Sequence, residues 1–166
     1  MLLDITPLRI SRDYRLLFFG QLISFFGSMM TFIVVPWQMR MLTDSDQMVG
    51  FIYLAEFVPM ASLAFIGGAL ADALDKRKML RLTEIGQTFV TLILLLNSLL
   101  PAPQIWILYF AVALHAGFAA LQRPAFEALI QKIIPAEMMT SVAALNSLRY
   151  NFGAIISPSI AGIIIA

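Results

Sequence analysis

Cysteine is absent from the 166 residues and histidine occurs once. Without a thiol there is no disulfide, no thiolate metal site and no cysteine nucleophile. No pair of carboxylates stands at working spacing and no glycine loop suited to phosphate is present, so no enzyme constellation is legible and neither metal nor cofactor is expected. Charge is scarce too. Only 13% of residues are Asp, Glu, Lys or Arg, against about 25% in a water-soluble domain. What fills the chain instead is apolar: 60% of it, which makes an all-α integral membrane protein the expectation. The formal net charge of +1 does not point to nucleic acid, because the basic residues are divided among short segments flanking apolar runs.

Taken in order, MLLDITPLRISRDYR holds no uninterrupted apolar core, so no cleaved signal is expected there. Apolar spacing at Leu2, Leu3, Ile5 and Leu8 suggests a short interfacial helix. Five apolar runs then read as membrane spans, at about 16–38, 49–71, 79–100, 104–122 and 141–166. Arg123 to Thr140, with Arg123, Glu127, Lys132 and Glu137, reads as an amphipathic interfacial segment. Arg9, Arg12, Arg15, Lys76, Arg77, Lys78, Arg81, Arg123 and Lys132 fall on one side, nine of the eleven Lys and Arg residues. The positive-inside bias therefore places the N-terminus in the cytoplasm.

The charged stretch GGALADALDKRKMLR, Gly67 to Arg81, is the sharpest motif. It is expected to form a tight loop between the second and third spans. Its order, Gly68-x-Leu70-Ala71-Asp72 and then Lys76, Arg77 and Lys78, resembles the loop between helices 2 and 3 of the major facilitator superfamily, with Ala73, Asp75 and Lys76 departing from that pattern. ALNSLRYNFGAIISPSIAG resembles the helix-5 signature of exporters in the superfamily, Ser157 and Ala161 standing where glycines are usual. LTDSDQMVGF and PAFEAL are similar to the branch holding macrolide and siderophore exporters.

The resemblance implies a transporter of twelve spans in two halves, working by alternating access. This chain would supply helices 1 to 5 and lack the C-terminal half. It further implies a bacterial inner-membrane exporter, proton-coupled, for a siderophore-like or amphipathic drug-like small molecule. Membrane lipid, that substrate, protons and a missing C-terminal half are then the partners; nucleic acid is not. Two alternatives stay open: a truncated five-helix fragment inactive alone, and a half-transporter needing a separate C-terminal half. The resemblance also implies that Gly68, Leu70, Asp72, Lys76 and Arg77 gate two transport states through a charge clasp. An acid at the end of a helix is unfavourable unless paired, which gives Asp72 a physical reason for such partners.

Polar residues within spans mark a candidate substrate path. Gln21, Ser24, Ser28 and Thr31 recur at i, i+3, i+7 and i+10 on one helical face, bordered by Phe25. The same hydroxyls could equally bond back to their own helix. Arg149 could bind an anion, pair with a carboxylate, or snorkel. Glu56 and His115 are candidates for proton coupling. Glu56 could instead snorkel or pair with Arg40, and a lone histidine is commonly a hydrogen-bonded structural residue. Gly153, Ser157, Pro158 and Gly162 are expected to serve helix packing or a bend. Ala113 replaces the arginine that the related drug-export branch carries in helix 4, and Ser28 an acid common after the helix-1 glycine, so the proton route is not read from the resemblance.

Overall fold

In a hydrocarbon setting a backbone must satisfy its own hydrogen bonds, and an apolar run does so by coiling. The computed structural model describes residues 4–165, the side chains of 69–72, 164 and 165 excepted. Every regular element among them is helical: α1 (Thr6–Ile10), α2 (Arg12–Thr43), α3 (Asp46–Ala73), α4 (Lys76–Ser98), α5 (Ile105–Ile133) and α6 (Met139–Ile165), with a 3-10 turn at Ala136–Met138. At 1.5 Å per residue, the 32 residues of α2 reach about 48 Å, well beyond a ~30 Å hydrocarbon core.

Among the described residues, four helices are long and apolar enough to cross a membrane: α2, Asp46–Gly68 of α3, α4 and α5. The described part of α6 does not join them. Exteriors are apolar, as lipid contact requires: Phe65 is 88% exposed and Ile163 79%.

Helix ends depart from the expected spans. The tight loop expected over Gly67 to Arg81 is much shorter, since α3 runs through Gly67 and Gly68 to Ala73 and α4 begins at Lys76. Ala and Leu favour helix strongly enough to carry the turn past two glycines. The interfacial segment expected from Arg123 is also mostly helix: α5 passes Arg123 and Pro124 and ends at Ile133. Arg123 and Glu127 form an i,i+4 ion pair there at 3.5 Å.

Two compact units make up the fold, each with its own interior: the described residues of Met1–Val34 with Leu129–Ala166, and Val35–Ala128. In the second, Val35, Met39, Ile52, Val90, Leu94, Leu108, Ala111 and Val112 form one buried cluster. Its connections are pinned by polar side chains. Arg40 bridges Asp44 at 3.2 Å and Asp46 at 3.0 Å, with Asp44 at φ +50°, a left-handed turn that Asp tolerates. Asn97, 2% exposed, accepts from the Gln104 amide at 2.8 Å and donates from Nδ2 to the Gln104 carbonyl at 3.2 Å, closing the α4–α5 turn.

In the first unit, α1 packs against α6. Asp4 accepts from the Thr6 amide at 3.0 Å, from the Thr6 hydroxyl, and from the Ser141 hydroxyl at 2.7 Å. Those bonds, the Thr6 hydroxyl first, then Ser141 and the Thr6 amide, hold the Asp4 carboxyl below its ordinary range.

Candidate functional site

Polar side chains inside apolar helices are costly, so their positions locate chemistry. In the first unit they gather where α2 meets α6. Gln21 is buried, and Ser24, Phe25, Ser28 and Thr31 are half-buried along the same stretch of α2. The Thr31 hydroxyl donates to the Gly27 carbonyl of its own helix at 3.1 Å, so for this member of the stripe the local bond is the one made.

Opposite them, Arg149 of α6 is half-buried, its guanidinium carbon 5.9 Å from the centre of the Phe25 ring. At that range a ring face attracts a cation by about 0.5–2 kcal/mol. Phe25 also meets Tyr150, ring centroids 5.4 Å apart. Two further residues belong to this cluster and are not singled out by the sequence reading. Tyr14 is fully buried and lies within electrostatic reach of Arg149, and Asn146 sits one turn before Arg149 on α6. The Tyr14 hydroxyl and Asn146 Oδ1 are buried without a hydrogen-bond partner among the described residues.

The second unit holds the two proton-coupling candidates and a network. Glu56 is half-buried in α3 and makes no hydrogen bond or ion pair among the described residues. Arg40 is engaged by Asp44 and Asp46, so the Arg40–Glu56 pair that the sequence allows is not formed. His115 is half-buried in α5. Two turns further along α5, Gln122 Oε1 accepts from Gln87 Nε2 of α4 at 3.1 Å, and Gln122 Nε2 donates to Glu84 at 3.5 Å. The i, i+3 placing of Glu84 and Gln87 in an apolar run is the sequence signal for this network; its partner helix is not.

The residues that the superfamily resemblance implies for gating fall on both sides of a short break. Gly68 lies in α3, exposed, with nothing within 4 Å of where a Cβ would stand. The glycine that close packing requires is Gly67, where a Cβ would lie 3.1 Å from the Ala120 carbonyl oxygen. Lys76 and Arg77 open α4, capped by Asp75, which accepts from the amides of Arg77 at 2.9 Å and Lys78 at 3.2 Å. The side chains of Leu70 and Asp72 lie outside the described residues.

Of the α6 packing residues, Gly153 and Ser157 are buried, as is Ala161. Phe25 occupies the space that a Cβ on Gly153 would need. Pro158 and Gly162 do not join them: both are exposed, and Gly162 has nothing within 4 Å of a Cβ position. At about 100° per residue, Gly162 comes round to the side opposite Gly153, and Pro158 lies well off the stripe.

Long apolar helices, lipid-facing exteriors and a few polar side chains gathered between helices define a multi-pass membrane protein. The sequence profile of transmembrane secretion effectors matches residues 4–166, and the chain belongs to that family of major facilitator transporters. It is 30% identical over 167 aligned positions to the enterobactin exporter EntS of Shigella boydii serotype 18. It is 29% identical to the same-named protein of Salmonella choleraesuis and 28% to that of Citrobacter koseri. Each alignment covers 99% of this chain and 40% of the relative's length. No solved structure matches significantly.

Proposed function

We propose that the chain acts as the N-terminal part of a proton-coupled exporter of the bacterial inner membrane, carrying a siderophore-like or amphipathic small molecule outward by alternating access, with its N-terminus in the cytoplasm. The observation that carries this reading is the similarity to enterobactin exporters along 99% of the chain. Glu56 supports proton coupling. An ionised carboxylate in the apolar stretch of α3, with no partner among the described residues, is costly, so taking up a proton relieves it. The Phe25 and Tyr150 rings beside Arg149 and the α2 polar stripe suit a bulky molecule with polar and apolar parts. The Gly68–Arg77 segment would gate the cycle, as the superfamily resemblance implies.

Export is measured in cells lacking their own exporters, from this chain and from a version extended to the relatives' length. Accumulation of a catecholate siderophore and of a fluorescent amphiphile is followed with and without an uncoupler. The extended protein should lower accumulation, the uncoupler should abolish the effect, and Glu56→Gln should remove its dependence on external pH. Export that ignores both uncoupler and Glu56→Gln removes proton coupling through Glu56. No export of either probe, despite full membrane expression, removes the exporter reading for these substrates.

A further inference from the structure

The outward side of α4 is apolar along its length but begins at two cations. At about 100° per residue, Lys78, Arg81, Leu82, Ile85, Phe89 and Leu92 fall within one arc of about 100°. All six are exposed. Thr83, Gln87, Val90 and Leu94 lie on the opposite side and are buried. Neither Lys78 nor Arg81 forms an ion pair among the described residues. Acids do not neutralise the face either. Between Lys76 and Leu92 the one acid is Glu84, and it accepts from Gln122 of α5. Asp75 caps the amides of Arg77 and Lys78, so those two helix-end donors are already satisfied. The positive charge that this face presents belongs to its side chains.

Its two parts match the two parts of a phospholipid. Residues three apart are neighbours on a helix surface, so Lys78 and Arg81 can meet one headgroup. The guanidinium takes two phosphate oxygens in a planar fork, and the ammonium adds a compact charge. Their apolar stems lie along hydrocarbon while the charged ends reach the headgroup level. The eleven steps from Arg81 to Leu92 rise about 16 Å, close to half of a ~30 Å hydrocarbon core. One leaflet is therefore spanned by Leu82, Ile85, Phe89 and Leu92. Hydrocarbon contact does not tell one lipid from another, since all lipids offer it; charge does. A zwitterionic headgroup brings its own cation to the pair, and a net-negative one does not. We infer that this face of α4 is a docking site for an anionic phospholipid. The phosphodiester sits between Lys78 and Arg81, and one acyl chain follows Leu82 to Leu92. Such a lipid fixes the depth of α4 in the bilayer. The site lies outside the α2–α6 cluster and is independent of what the chain exports.

Native mass spectrometry of the purified chain in neutral detergent tests this. Phosphatidylglycerol and phosphatidylcholine with identical acyl chains are supplied in equal, substoichiometric amounts, and the ratio of the two singly bound species is read. A cation near the headgroups is worth about fivefold, so the unaltered chain should favour phosphatidylglycerol about twentyfold. That comparison does not depend on any variant folding. Lys78→Gln and Arg81→Gln should each lower the ratio about fivefold, and the double variant should bring it near parity. Lys76→Gln removes the same charge two residues away, about 160° round the helix, and should keep most of the preference. A hundredfold excess of sn-glycerol 3-phosphate, an anion without acyl chains, should not displace the bound lipid. Parity in the unaltered chain would overturn the assignment. So would equal losses in Lys76→Gln and Arg81→Gln, which would mark diffuse surface charge. Displacement by glycerol 3-phosphate would overturn it in favour of a soluble anion.

Discussion

Two buried polar residues, Asn97 and Ser157, carry opposite expectations because one is satisfied and the other is not. Asn97 uses both ends of its amide on the backbone of Gln104. Asn97→Ala takes its partner from the Gln104 amide and one of two donors from the Gln104 carbonyl, which keeps the Ile107 amide. Stability should fall by about 1–3 kcal/mol, read as an earlier unfolding midpoint in a denaturing-detergent titration. Ser157 is fully buried, and its hydroxyl has no hydrogen-bond partner among the described residues. Ser157→Ala removes an unmet desolvation cost and little volume, so the same titration should show an unchanged or later midpoint. A clear loss of stability in Ser157→Ala would show that the hydroxyl is in use. Gly153→Ala, by contrast, drives a methyl into the Phe25 ring and should destabilise the α2–α6 contact.

At the scale of the element, α4 starts against its own electrostatics. Lys76, Arg77 and Lys78 fill its first turn, where the helix dipole already presents positive charge. Asp75 offsets this by capping two amides and adding a negative charge at the right end. Asp75→Ala should cost about 1 kcal/mol, and amide exchange at Arg77 and Lys78 should rise well before exchange deeper in α4. Asp75→Asn, which keeps the cap and loses the charge, should fall between the two. The apolar runs make the helices legible in sequence, since spans of that length allow little else. Their ends are not legible in the same way. Ala-Leu-Ala carries α3 past Gly67 and Gly68, and the Arg123–Glu127 pair helps α5 past Pro124. Among the polar residues, the stripe from Gln21 is visible as spacing within one helix. The bond between Gln87 and Gln122 is not, because it depends on which helices pack and at what rotation. Tyr14 and Asn146 escape notice for a related reason. Tyr14 stands near the start of α2, where a polar residue looks like a boundary, and the surroundings of Asn146 depend on how α6 packs.

At the scale of the molecule, the hydrogen bond from Ser141 to Asp4 ties the N-terminal segment to the start of α6. The Asp4 carboxyl is held below its ordinary range by the Thr6 hydroxyl, then Ser141 and the Thr6 amide. A depressed folded-state value means the tie contributes fully above the ordinary carboxylate value and is lost as pH falls through the depressed one. Limited proteolysis at Arg9 and Arg12 should therefore stay slow at neutral pH and accelerate only in acid. Asp4→Asn should be cleaved at one faster rate across that range. Equal, pH-independent cleavage of both proteins would show that the tie does not hold the segment.

The basic first turn of α4 also bears on how the chain reaches its fold. Judged on the finished helix, those three cations are poor choices, and neutral residues would make a better start. Judged at the moment a nascent chain threads into the bilayer, in the orientation proposed here, they are the residues that refuse to cross. The segment thus records a decision taken during biosynthesis, kept at the expense of the helix it begins, with Asp75 repairing part of the damage. A variant engineered for a more stable α4 by replacing them would gain in the assembled state and lose in the yield of correctly threaded molecules.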